Sequence, residues 1–164
     1  MRRELRILQI SLVLAFLWVS QGKVQAQILA SSAASSKMAR MSMAEGIAAQ
    51  NKTLLNLITK AGLMPVLSSS GEYTFFAPPA EAMQKLQQET PERLRELFLK
   101  HIVVGTITSA NFHDGTHLKT LGGSTLRVYR KKELVLIDGL QLKEADQFFS
   151  NGVLHQLSGT MHTK

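Results

Sequence analysis

The chain has no cysteine, and that absence removes disulfides, thiolate metal sites, a cysteine nucleophile and the acylated cysteine of a lipoprotein together. Aromatic residues are scarce, one Trp, two Tyr and seven Phe, and no nucleic-acid motif accompanies the basic residues, so the sequence carries no DNA or RNA function. Long apolar runs are also missing. The longest, Ile7 to Val19, falls short of the ~20 residues that a spanning helix needs.

That run belongs instead to an export signal. Arg2, Arg3 and Arg6 form a basic start, the apolar run follows, and Val24-Gln25-Ala26 presents small residues where a signal peptidase reads. Cleavage is expected after Ala26, with no stable membrane span left behind. Removing Arg2, Arg3, Arg6 and Lys23 against Glu4 lowers the formal net charge from +7 to +4. A mild attraction to acidic polymers or anionic surfaces remains. The remaining 138 residues suffice for one domain that buries roughly two-thirds of its unfolded surface.

Residues 27–42 are rich in Ala, Ser and Met without apolar periodicity and read as a flexible leader. The domain is expected over 43–164, opening with a short helix around Ala44. Asn51 can cap the next helix, in which Leu54, Leu55, Ile58 and Ala61 share one face. Gly62 is its left-handed stop, and Pro65 argues against continuation. Asn51-Lys52-Thr53 is also a glycosylation sequon. Ser68 to Gly71 reads as a turn, Tyr73 to Phe76 as a strand buried on both faces, and Glu81 to Gln87 as a helix. Thr90, Pro91 and Glu92 mark the start of another helix, whose Leu94, Leu97, Phe98 and His101 fall on one side.

Beyond Val104-Gly105 the pattern becomes that of strands: 118–121, 125–130 and 133–137, then Leu140–Leu142 after the Asp138-Gly139 hairpin signal, and Val153 to Leu157. Helices first and strands second predict an α+β fold, with N-terminal helices packed on an antiparallel sheet or sandwich.

Five fragments carry a more specific likeness: Lys60-Ala61-Gly62-Leu63, Thr74-Phe75-Phe76-Ala77-Pro78, His101-Ile102-Val103-Val104-Gly105, Thr120-Leu121-Gly122-Gly123 and Asn151-Gly152-Val153-Leu154-His155. In order and spacing the chain resembles the fasciclin domain from about Met43 to its end. The resemblance implies a non-enzymatic adhesion or binding module, exported to the periplasm or secreted, whose partner is a protein or polysaccharide at the cell surface. It also implies that His101 and His155 are buried, hydrogen-bonded structural groups. Three departures stand out. Pro79 and Ala80 replace the family's polar cap after the Ala-Pro. Lys100 replaces the tyrosine of a Tyr-His pair linked to integrin binding in animal relatives, so that route is not carried over. Gln156 to Met161 replaces an apolar run, which predicts incomplete pairing of the last strand.

Candidates for chemistry are few. His113 and His117 stand i, i+4, but Asp114-Gly115-Thr116 between them favours a turn over a helix. A metal or small-ligand site using His113, His117 and His162 is the alternative to adhesion; no cofactor or metal is expected in the principal reading. Ser150 and Ser158 lack the G-x-S-x-G setting of an exposed nucleophile. The acids are scattered, and Gly122-Gly123-Ser124 leads into a strand rather than a helix, so no phosphate cradle is expected. One candidate contact surface remains, a basic hairpin tip comprising Arg127, Tyr129, Arg130, Lys131 and Lys132. Arg127 and Tyr129 are expected on one strand face, opposite Leu126 and Val128. The bland reading of the same tip is a charged guard on a sheet edge.

Overall fold

A computed structural model describes residues 35–161. The expected export signal, the first half of the expected leader and His162 lie outside the described residues, and every element below lies beyond Met38.

Helix α1 (Met43–Gln50) opens with a capping box: the Ser42 hydroxyl accepts from Glu45 N–H, and the Glu45 carboxylate accepts from Ser42 N–H. Asn51 caps α2 (Lys52–Lys60) through Oδ1, which accepts from Leu54 N–H at 3.0 Å. Leu54, Leu57 and Ile58 are its buried face, with Leu55 only partly covered. The helix ends as expected at Gly62, whose φ of 66° is left-handed. Leu63 N–H then bonds Ile58 C=O at 3.0 Å and Gly62 N–H bonds Thr59 C=O at 3.0 Å, a Schellman end. Pro65 does not merely stop the chain, however. It sits in the first turn of a short helix, α3 (Met64–Ser68), where a proline's missing N–H costs nothing.

Strand β1 (Tyr73–Ala77) is followed by α4 (Ala80–Leu86), whose entry at Pro79 carries no side-chain cap, as the departure there implies. Helix α5 (Pro91–His101) starts where Thr90 Oγ1 accepts from Arg93 N–H at 3.3 Å. It runs directly into β2 (Ile102–Val104), a strand hidden in the sequence because its three residues continue the helix's apolar run. After a 3-10 turn at Ser109–Asn111 come β3 (His117–Lys119), β4 (Thr125–Lys131), β5 (Leu134–Ile137), β6 (Leu140–Phe149) and β7 (Gly152–Leu157).

These seven strands form one sheet in the order β2-β1-β7-β6-β5-β4-β3. The pairings are antiparallel except β1 with β7, which run parallel from Tyr73 opposite Gly152 to Ala77 opposite Gln156. The outermost strands meet again: Val103 bridges Thr120, and Leu121 N–H donates to Ile102 C=O at 2.8 Å. The sheet therefore curls round and joins its own edges.

Curling creates two cores, and β1 separates them. Phe75 and Ala77 face the helices, where Phe75 meets Phe98 edge-on at 6.2 Å. Phe76 points the other way, into a core with Phe112, Leu126, Val128, Ile137 and Leu157. This is why the Thr-Phe-Phe-Ala run carries apolar bulk on both sides.

Two expectations about the C-terminal half are corrected. Strand β7 pairs along its length with β1 and β6, so the polar residues after His155 do not leave it half-paired. Strand β6 continues seven residues past Leu142 to Phe149, through register shifts between Leu142 and Glu144 and between Glu144 and Gln147. Asp146, in a left-handed conformation with φ of 63°, lies within the second shift. Bulges of this kind break the two-residue alternation on which the sequence reading relies.

Candidate functional site

His101 ends α5 wholly buried. Its Nδ1–H donates to Phe76 C=O at 2.5 Å, and its Nε2 accepts from Met161 N–H at 3.1 Å. Both ring nitrogens are engaged in the neutral tautomer, and burial pushes the pKa from 6.5 down to about 4 against the opposing pull of the Phe76 carbonyl. His155 on β7 is likewise buried. Its Nε2–H donates to Ile107 C=O at 2.8 Å and its Nδ1 accepts from Asp146 N–H at 3.1 Å, while Phe76 stacks on the ring at 5.5 Å. Burial lowers its pKa too, partly offset by the Ile107 carbonyl and the Asp146 charge. Each histidine ties two separate segments together.

A Ser–His–Asp arrangement is near but not formed. Ser109 donates both its N–H, at 2.8 Å, and its hydroxyl to the Asp146 carboxylate. His155, however, meets the backbone N–H of Asp146 rather than that carboxylate, and its remaining nitrogen is spent on Ile107. The serine is therefore tied to Asp146 in the first position of the 3-10 turn, and no imidazole is placed to take its proton.

His113 and His117 are both exposed, the first in the turn before β3 and the second opening that strand. Among the described residues no three His, Asp or Glu side chains come together as a metal ion would require. No helix among them is long and apolar enough to cross a membrane.

The basic hairpin divides into two parts. Arg127 and Tyr129 lie on the outer face of β4, with the guanidinium 4.7 Å from the ring centre, while Leu126 and Val128 point inward. Lys131 and Lys132 are exposed at the turn. Arg130 points elsewhere: its Nη1 donates to Ser109 C=O at 2.9 Å and Phe112 C=O at 3.2 Å, and its N–H donates to Asp114 Oδ1 at 2.9 Å. It fastens the loop before β3 through Nη1 and does not share the face of Arg127 and Tyr129. Nor does β4 form an edge: β3, the loop at Gly115–Thr116 and β5 all bond to it.

A feature the sequence does not announce lies on the opposite side. A cleft of about 320 Å3 opens between the α1–α2 corner, the end of β1 and the outer face of β6 and β7. Ile47, Leu54, Met83 and Leu154 form its apolar part, and Gln50, Asn51, Glu144, Gln147 and Gln156 its polar part. In the sequence Asn51 reads as a helix cap and Gln156 as a departure from the family pattern, and none of the five announces a cleft. Only the bulged course of β6 brings them to one place.

Comparison with known proteins bears on the same fold. The family model described as Fasciclin domain matches residues 49–162. The pig transforming growth factor-beta-induced protein ig-h3 is 33% identical over 112 residues, covering 63% of this chain and 16% of that protein. A fasciclin-like arabinogalactan protein, CTB11 of Cercospora beticola, is 32% identical over 113 residues, covering 65% of this chain and 30% of that protein. The chain thus spans a minor part of either relative. Among solved structures, a FAS1 domain pair from the insect cell adhesion molecule fasciclin I superposes with a TM-score of 0.61. It is 12% identical and covers 75% of this chain and 51% of that one, a likeness of fold.

Proposed function

Since the chain belongs to the fasciclin domain family, we propose that it is an exported, non-enzymatic binding module that holds a protein or polysaccharide at the cell surface or in the extracellular matrix. The observation that carries this reading is the shared fold with a domain pair of a cell adhesion molecule. The chemistry inside the domain agrees with it. Both buried histidines are used up by internal bonds, and no buried side-chain polar atom among the described residues lacks a partner. What remains for function is surface, and the outer face of the β4–β5 hairpin, with Arg127, Tyr129, Lys131 and Lys132, is a candidate contact. In this reading residues 1–26 are an export signal, and 43–164 are the working domain, periplasmic or secreted.

The test is capture from the producing cells. The full chain, expressed in them with a C-terminal tag, is cross-linked in place, and the released protein and its adducts are identified by mass spectrometry. Recovery of a cell-surface protein or polysaccharide, on a chain that begins at Gln27, supports the proposal. Retention of residues 1–26 in the cytoplasm, or release without any macromolecular adduct, overturns it.

A further inference from the structure

The cleft beside α1 combines three properties that point to one class of ligand. Its polar rim is made of amides and one carboxylate, which between them offer both donors and acceptors. Gln147 Nε2 donates to Gln50 Oε1 at 2.8 Å across the rim and Gln50 Nε2 donates to Met38 sulfur, so the pair offers the cleft chiefly the Gln147 carbonyl oxygen. Asn51 Nδ2 faces Met83 sulfur at 3.8 Å, a weak acceptor that leaves most of its donor capacity unspent. Glu144 forms no ion pair within 4.0 Å; the ion pair among the described residues is Arg93–Glu96.

Below the rim, Leu154 and Ala145 present the accessible apolar surface, over a floor closed by the buried side chains of Ile47, Leu54 and Met83. The volume lies at the small end of the range for ligand sites, roughly 300–1,000 Å3. The rim exists because β6 is bulged on both sides of Glu144 and turns left-handed at Asp146, the kind of local irregularity that re-aims side chains at sites.

From this geometry we infer that the cleft binds a neutral sugar unit. Hydroxyl groups donate and accept, so they can pair with amide and carboxylate together, while the C–H face of a sugar ring meets the apolar part. An anionic sugar would bring its charge to Glu144 with no Lys or Arg in the lining to offset it. An alkyl chain would leave the amides and the carboxylate dehydrated and unpaired. A simple amine would satisfy Glu144 and leave the Gln156 amide at the rim unused. The inference rests on the binding-module reading and names the partner class for a second surface of it, apart from the basic hairpin.

The experiment is a titration of the isotope-labelled full chain, followed by NMR, with glucose, galactose, mannose and N-acetylglucosamine as separate probes and glucuronate and methylammonium as charged comparisons. At least one is expected to give saturable shifts at Gln50, Ala145 and Gln156. Glu144→Ala and Gln156→Ala should each weaken that binding about tenfold, the loss of a hydrogen bond to a charged or polar group, and Lys119→Ala, at an exposed position outside both surfaces, should leave it unchanged. Unaltered thermal midpoints will show that the variants are folded. Failure of all four sugars to saturate, saturation unaffected by either cleft substitution, or preference for glucuronate or methylammonium overturns the inference. A captured surface partner with no sugar binding sinks the cleft and leaves the binding module standing. Sugar binding with no captured macromolecule does the reverse.

Discussion

Asn151 holds the start of α1 from a distance of 108 residues: its Oδ1 accepts from the backbone N–H of Met43 at 2.7 Å. Met43 is the first residue of that helix, so the bond satisfies a donor that no helical carbonyl can reach. The same side chain donates to Leu67 C=O at 2.7 Å and Ser69 C=O at 2.9 Å, closing the end of α3, and the backbone carbonyl of Asn151 accepts from Tyr73 N–H at the start of β1. Asn151→Ala leaves one buried donor and two acceptors without this partner, an expected loss of about 3 kcal/mol. Asn151→Asp keeps the acceptor but aims a carboxylate at two carbonyls, and should do no better. Urea titration of both variants checks this: the midpoint should fall with the slope unchanged.

Gly152 next to it is fixed by contact rather than by turn chemistry alone. A Cβ there would lie 1.8 Å from the carbonyl oxygen of Tyr73, and φ is +148°. The obstacle is backbone of the paired strand, so relief requires moving β1 or β7. Gly152→Ala is expected to cost about 3 kcal/mol or more, within the range of severe single substitutions. Gly62→Ala, where φ is +66° and the nearest atom is 3.6 Å away, should cost only about 1–2 kcal/mol for the left-handed backbone. Thermal unfolding of the two variants should separate them clearly.

The elements read correctly from sequence are those whose signals are local. Thr90-Pro91-Glu92, Gly62-Leu63 and Asp138-Gly139 each dictate their own backbone, and the double-sided Phe75-Phe76 pair announces a strand between two cores. Features set by distant partners were not legible. The parallel pairing of β1 and β7 joins residues about eighty positions apart, and no local pattern specifies its direction. Lys143 to Gln147 lacks alternation because the strand is bulged there, so the long β6 was missed together with the cleft it lines. Pro65 argues correctly against continuation of α2, but the short α3 that it opens carries no further signal, because one residue type both ends helices and begins them. His101 and His155 were placed inside the fold through the family resemblance; their partners Met161 and Asp146 carry no signal that identifies them.

The two buried histidines make acid stability a sharp test. A histidine whose folded pKa lies below its unfolded value stabilises the protein fully above about 6.5 and loses that contribution as the pH falls through the folded value. For His101, shifted to about 4, the loss is about 2 kcal/mol by pH 5 and about 3 kcal/mol once the ring is protonated in both states. His155 adds to the same trend. Glu45, whose pKa is lowered by the Ser42 backbone and hydroxyl, acts only below its usual 4.5, outside this window. Unfolding free energies measured between pH 7 and 5 should therefore drop steeply. His101→Gln should be less stable at pH 7 yet show a flatter dependence; an equally steep fall would mean that other groups drive it.

Arg130 and Arg127 are three residues apart on one strand and should answer differently to alanine. Arg130 bonds Ser109 and Phe112 carbonyls through one guanidinium nitrogen, so its truncation releases the loop that covers β4 and the second core. Because the side chain is largely exposed, the expected loss is about 1 kcal/mol rather than that of a buried pair. Arg127 contributes only its stacking over Tyr129, about 0.5 kcal/mol at an exposed position, and Lys131→Ala should fall within about 0.5 kcal/mol of the parent. Denaturation of the three variants, run beside partner capture, then assigns each effect. Capture lost in Arg127→Ala or Lys131→Ala at unchanged stability locates the contact on the outer face of the hairpin. Capture lost only in Arg130→Ala, together with a lowered midpoint, reports a loosened loop and places the contact elsewhere.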